Sequence, residues 1–129
     1  MSPAGPILVV EDDTAILRTV TEALRDEGYA VLSAEHGGEA IDLVQQQSVA
    51  LILLDMRMPV VDGWTFAQLY RDRPGPHAPI VVLTAATDAR ARAQQIGAAD
   101  YLPKPFELDD LLAAVERWVG QPSSPSEPS

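Results

Sequence analysis

No cysteine occurs among the 129 residues, so neither a disulfide framework nor a cysteine-ligated zinc or iron–sulfur site can form. Any metal must be held by oxygen or histidine, and a reducing, cytoplasmic setting is the expectation. Long apolar runs are lacking too. No stretch approaches the length of a membrane span, and Met1-Ser2-Pro3-Ala4-Gly5-Pro6 has no basic region followed by an apolar one, so no membrane attachment or export is expected. Positive charge is scarce, with nine Lys and Arg against 19 Asp and Glu and a formal net charge of −10. Such a surface repels phosphate backbones, which disfavours direct nucleic-acid binding and favours divalent cations and cationic partner faces. Room for a second folded domain is absent as well, because this length at 47% hydrophobic composition builds one core.

Apolar residues fall in short consecutive runs: Ile7 to Val10, Ala50 to Leu54, Ile80 to Leu83 and, more weakly, Tyr29 to Leu32. Consecutive rather than alternating apolar residues suit parallel strands covered on both faces. Asp100 to Pro103 is a fifth candidate, closed by Pro103 and Pro105 and therefore placed near a sheet edge. Helical spacing fills the intervals: Ile16, Val20, Ala23 and Leu24 make one face, Ala40, Ile41 and Val44 another, and Leu108, Leu111, Leu112, Val115 and Val119 the clearest. Strand then helix, repeated five times, predicts a doubly wound α/β fold around a parallel sheet. Thr14, Asp62 and Asp88 are candidate N-caps, and Gly28, Gly97 and Gly120 candidate stops. Residues 1–5 read as an N-terminal extension, 6–120 as the domain, and the Gln, Pro, Ser and Glu tail 121–129 as a segment unable to bury apolar surface.

In an open parallel sheet, ligands bind beyond the carboxyl ends of the strands. Glu11, Asp12 and Asp13 follow the first strand, Asp55 the third, Thr84 the fourth and Lys104 the fifth. Carboxylates gathered there repel one another unless a cation sits among them, and hard oxygen donors suit Mg²⁺. Taken alone, the acidic trio reads more simply as a solvated turn. Asp55 changes that balance, since it leaves the buried run Leu51-Ile52-Leu53-Leu54 for the same edge. Lys104, the single lysine beside eight arginines, supplies a compact charge able to meet a carboxylate or phosphoryl oxygen.

With these residues in place the chain resembles the response-regulator receiver domain of two-component signalling, the chemotaxis-type family, from about Pro6 to Gly120. Val10-Glu11-Asp12-Asp13 is similar to its acidic segment, Asp55-Met56-Arg57-Met58-Pro59 to its phosphoacceptor segment, Leu83-Thr84-Ala85 to its hydroxyl signature, and Asp62-Gly63 and Lys104-Pro105-Phe106 match as well. The resemblance implies a flavodoxin-like sheet in the order 2-1-3-4-5 with five helices. It implies that Asp55 is the phosphoacceptor, with Asp12 and Asp13 as the acidic pair. Asp13, Asp55 and the backbone carbonyl of Arg57 would hold Mg²⁺. Thr84 and Lys104 would grip the phosphoryl oxygens, Tyr101 would be the aromatic switch, and the bond to Pro105 would be cis.

Implied also is a phosphohistidine donor on a sensor histidine kinase or histidine phosphotransfer protein. The output would be a downstream effector protein or fused domain, controlled through the face of the fourth helix, fifth strand and fifth helix. A weak dimer on phosphorylation, with Arg92 and Asp110 as a candidate pair, belongs to the same expectation. The chain would catalyse its own phosphoryl transfer and its own dephosphorylation without being a turnover enzyme. His36 and His77 sit in polar loop-like surroundings and are not expected as donors. Two rivals share parts of the pattern. A phosphatase of the haloacid-dehalogenase type needs a second acid where Arg57 stands, and steady ester turnover would favour it. A flavodoxin-like electron carrier needs a first turn that cradles phosphate, which Glu11-Asp12-Asp13 would repel, and flavin absorbance would reveal it.

Overall fold

The computed structural model describes residues 5–56, 63–74, 77–85 and 89–119. The expected caps Asp62 and Asp88, the stop Gly120, Arg57, the tail 121–129 and nearly all of the N-terminal extension lie outside them. Strands and helices alternate as β1 (Ile7–Val10), α1 (Thr14–Asp26), β2 (Val31–Ala34), α2 (Gly37–Gln46), β3 (Leu51–Asp55), α3 (Gly63–Asp72), β4 (Ile80–Ala85), α4 (Ala89–Ile96), β5 (Asp100–Lys104) and α5 (Leu108–Trp118). All neighbouring strands pair in parallel, in the order β2-β1-β3-β4-β5. This is the flavodoxin-like, doubly wound order expected from the resemblance.

Alternation along each strand sorts the core into two layers. Leu8, Val10, Ile52, Leu54, Ile80 and Val82 pack with Ala40, Val44, Phe66, Tyr70 and Ala93, so α2, α3 and α4 cover one face. Ile7, Val9, Leu51, Leu53, Val81 and Leu83 pack with Leu17, Val20, Leu24, Leu111 and Val115, so α1 and α5 cover the other. Each fully buried Leu or Ile contributes roughly 1.5–3 kcal/mol, and β1, β3 and β4 hold most of them.

Several expectations shift in detail. β2 begins at Val31, two residues later than the run from Tyr29 indicated, because Ser33 and Ala34 take the rungs opposite Val9 and Val10. On α1 the buried face is Leu17, Val20, Thr21 and Leu24, which leaves Ile16 half-buried. Leu108, expected in the core, is 42% exposed because it starts α5 at the sheet edge, and Ala114 takes the buried position instead. The α1 N-cap is Asp13, not Thr14: its carboxylate accepts from the Ala15 and Ile16 amides. Gly28 and Gly97 do end helices, with φ of 96° and 67°, and the amides of Tyr29 and Ala98 reach back to the Leu24 and Ala93 carbonyls.

Below the sheet, Tyr70 closes the α3–β4 connection by accepting a 2.7 Å hydrogen bond from the buried Ala78 amide. Burial raises the Tyr70 phenol above its ordinary value of 10.0, against the lowering effects of that bond and of Arg73 and Arg71. The folded chain thus holds this proton more tightly than the unfolded chain does. Its contribution is complete below pH 10.0 and is lost as pH climbs through the raised value. Tyr70→Phe strands the Ala78 amide and is expected to cost about 1–3 kcal/mol at neutral pH. It should also flatten the fall in stability at alkaline pH. Urea unfolding curves at neutral and alkaline pH check both, and curves that match the parent's at each pH would refute the assignment.

Candidate functional site

The carboxyl ends of β1, β3, β4 and β5 open onto one cleft of about 830 Å³, lined among others by Glu11, Asp12, Asp13, Asp55, Thr84 and Lys104. The six polar groups read from the strand ends therefore do converge. Asp55 is the last residue of β3 and is buried, Thr84 is buried near the end of β4, and Lys104 ends β5. The Lys104–Pro105 bond is cis.

Three consecutive acids after β1 take three different positions. The Glu11 amide still donates to the Ala34 carbonyl at 3.0 Å, so Glu11 remains in the sheet ladder and its side chain is fully buried. One of its oxygens accepts from the Asp13 amide at 3.1 Å, and the other lies 2.7 Å from the Lys104 ammonium. Asp12 is exposed toward the cleft, and Asp13 has turned onto the start of α1, where Oδ1 accepts two amides at 3.0 and 3.1 Å. Among the described residues, the carboxylates that come within 4.8 Å of one another are Glu11, Asp12 and Asp55, and Asp13 is not one of them. The structure thus differs from the expectation that Asp13 is the direct metal ligand. Its carboxylate is occupied as a helix cap, and the acidic pair facing Asp55 is Glu11 and Asp12.

Lys104 lies 3.7 Å from Asp55 Oδ2 as well as against Glu11. One ammonium among three carboxylates leaves an excess of negative charge, which a hard divalent cation would relieve. Glu11, Asp12 and Asp55 each bring a carboxylate oxygen to the place such an ion would take, with Glu11 also turned to Lys104. Sequence pattern places Glu11 among six strand-end groups and assigns it no role. Its place follows from the Glu11 amide bonding Ala34, a contact that no local pattern marks.

Tyr101, the expected switch aromatic, stands outward on β5 at 36% exposure. Arg92, expected in a dimer pair with Asp110, lies over the Trp64 ring of α3 at 4.4 Å. His36 caps α2 by accepting from the Glu39 amide, and His77 packs edge-on against Tyr70, so both histidines have structural posts. No helix among the described residues is long and apolar enough to cross a membrane.

Comparison with known proteins agrees with this geometry. Residues 7–116 match the family model of the response regulator receiver domain. The chain is 41% identical over 109 residues to the response regulator MprA of Mycolicibacterium vanbaalenii, covering 83% of this chain and 47% of that protein. It is 34% identical over 126 residues to the DNA-binding transcriptional regulator NtrC of Escherichia coli, covering 96% of this chain and 27% of that one. The chain thus spans about a quarter to a half of the length of such relatives. Among solved structures, the Vibrio cholerae chemotaxis protein CheY4 superposes with a TM-score of 0.75 at 30% identity, over 92% of this chain and 100% of that one. The co-crystal structure of the Saccharomyces cerevisiae histidine phosphotransfer protein Ypd1 with the receiver domain of Ssk1 gives 0.81 at 28% identity, over 92% and 91%.

Proposed function

The chain belongs to the response-regulator receiver family, and from that premise we propose that Asp55 takes a phosphoryl group from phosphohistidine while Mg²⁺ is held by Asp12 and Asp55. The observation that carries this reading is the position of Asp55: buried at the end of β3, within reach of Asp12 and 3.7 Å from Lys104. A carboxylate oxygen attacks phosphorus directly, without a general base to take a proton from it. Phosphoryl transfer spreads negative charge over the equatorial oxygens, so catalysis consists of positioning and charge neutralisation. Lys104 supplies a fixed positive charge on one side, and the Thr84 hydroxyl a donor on another. Glu11 holds the ammonium at the cleft, which makes it a positioning residue in this scheme. When bound, Mg²⁺ would add a second positive charge beside the acceptor; the Arg57 carbonyl is the remaining ligand that the resemblance implies.

The expected donor is a histidine kinase or phosphotransfer protein. Beside the acidic groups, the cleft wall is built from Ile16, Val20, Phe106 and Leu108, an apolar surface suited to a partner that brings its phosphohistidine to Asp55. The similarity to the Ssk1 receiver, solved with its phosphotransfer protein, supports that class of partner. The output would pass to an effector protein or fused domain through the α4, β5 and α5 face, with exposed Tyr101 free to turn inward. A cytoplasmic setting suits such a relay, and a weak dimer on phosphorylation, with Arg92 and Asp110 as a candidate pair, remains part of the proposal. Residues 6–120 would form the receiver, with 121–129 as a tail.

Incubation with acetyl phosphate and Mg²⁺, followed by intact mass and peptide mapping, tests the central claim. One phosphoryl group on Asp55 is expected, and labelling elsewhere would refute it. Arg57, two residues beyond Asp55, would flank the phosphoryl group if the chain follows the family pattern there. A long cation there would shield an acyl phosphate from water. Arg57→Ala is therefore expected to change the decay rate of the labelled protein while labelling still occurs. Decay measured by intact mass over time decides, and identical curves would exclude that role.

A further inference from the structure

The output route implied by the family runs from Thr84 on β4 to Tyr101 on β5. Contacts of this chain outline another route, from the acceptor strand to α4 by way of α3. Gly63, the first residue of α3, lies flush on the backbone that follows Asp55. Its amide donates to the Met56 carbonyl at 3.3 Å, and a Cβ on it would stand 2.7 Å from Met56 Cα and 3.2 Å from the Asp55 carbonyl oxygen. Contacts this close leave no slack, so the backbone at Asp55 and the start of α3 move together.

The next residue, Trp64, reaches the other way. Its indole N–H donates to Gln95 Oε1 at 2.8 Å, and the Arg92 guanidinium lies 4.4 Å from the ring centroid. Arg92 and Gln95 are three residues apart and so share one face of α4. At the other end of the pair, Arg71 of α3 donates to the Gly97 carbonyl at 2.7 Å, where α4 stops. Helix α4 buries only Ala89 and Ala93, so its apolar hold on the sheet is slight. Its seat on α3 is made largely by directional polar contacts, which are either formed or broken and so define two arrangements.

We propose that Trp64 is a second output element, coupling the phosphorylation state of Asp55 to the position of α4 through the start of α3, in parallel with Thr84 and Tyr101. The coupling rests on Asp55 being the acceptor. Phosphorylation biases the two arrangements of α4 by changing the backbone against which Gly63 is packed, and it does so only by the difference in free energy between them.

Trp64 and Trp118 are the two tryptophans of the chain, so Trp118→Phe isolates the signal of Trp64. Adding acetyl phosphate to that protein with Mg²⁺ already present is expected to change Trp64 emission in proportion to the fraction labelled, read by intact mass on the same samples. The response should persist after Tyr101→Ala. Separately, Gln95→Ala in the full chain is expected to speed hydrogen exchange over residues 89–96 about fivefold, the effect of one lost hydrogen bond. It should also reduce the change in exchange that phosphorylation causes there, leaving the part that arrives by way of Thr84 and Tyr101. Failure to gain mass at Asp55 would overturn the acceptor assignment and the coupling with it. Mass gain with unchanged Trp64 emission, or an emission response abolished by Tyr101→Ala, would overturn the coupling alone. So would a Gln95→Ala protein whose α4 exchange still responds as the parent's does.

Discussion

Asp55→Asn will gain no phosphoryl group from acetyl phosphate and Mg²⁺, while its fold and thermal midpoint stay close to the parent's. The side chains have nearly the same shape, so the packing around the end of β3 is kept. The amide, however, lacks the anionic oxygen that attacks phosphorus. Stability is buffered by opposing effects. Losing the charge gives up the attraction to Lys104 at 3.7 Å but relieves repulsion from Glu11 and Asp12, which share its surroundings. The balance should fall within about 1 kcal/mol, inside the ordinary range for single substitutions. Intact mass and a thermal scan of the two proteins under the same conditions give the answer. Equal mass gain in Asp55→Asn would remove the acceptor assignment. A variant that fails to label because it has unfolded would be recognised by its scan.

The central strands were legible because β1, β3 and β4 are covered on both faces, and burial on both sides leaves a consecutive apolar run in the sequence. The edge strand β2 was less so. Leu32 is half-buried and Ser33 exposed, while Tyr29 before it is itself partly buried, so the apolar signal runs ahead of the actual pairing. For α1 the spacing fits Ile16 and Leu17 equally, and only the helix's rotation on the sheet separates cleft wall from core. The strand-end rule brought the site together correctly, yet three acids in a row carry no mark of where the ladder ends and the helix begins. That depends on the Glu11 amide bonding Ala34 and on Asp13 capping α1. Contacts such as Trp64 with Gln95, 31 residues apart, lie beyond any local pattern. Helix α4 is rich in alanine, with Ile96 its one large apolar side chain. Its apolar burial is indeed small, and the polar tether to α3 came only with the structure.

Those different roles of Asp12 and Asp13 yield opposite results when each is truncated in the presence of Mg²⁺. Binding only to the folded state, the ion at about tenfold above its dissociation constant should stabilise the parent by about 1.4 kcal/mol. For a domain of this size that raises the midpoint by about 5 °C. Asp12→Ala removes the exposed carboxylate of the Glu11, Asp12 and Asp55 cluster, so its midpoint should no longer respond to Mg²⁺. Without the ion, Asp12→Ala should equal or exceed the parent in stability, because an exposed charge has been taken from a crowded acidic edge. Asp13→Ala should behave in the reverse way. Loss of the cap leaves the Ala15 and Ile16 amides without their acceptor and costs about 1 kcal/mol whether or not the ion is present. Its Mg²⁺ shift should survive, since the cluster of Glu11, Asp12 and Asp55 does not include it. Thermal scans of the three proteins with saturating Mg²⁺ and with a chelator separate the cases. A midpoint that does not move in the parent would refute metal binding altogether. A shift lost in Asp13→Ala and kept in Asp12→Ala would return the ligand role to Asp13 and require α1 to surrender its cap when the ion binds.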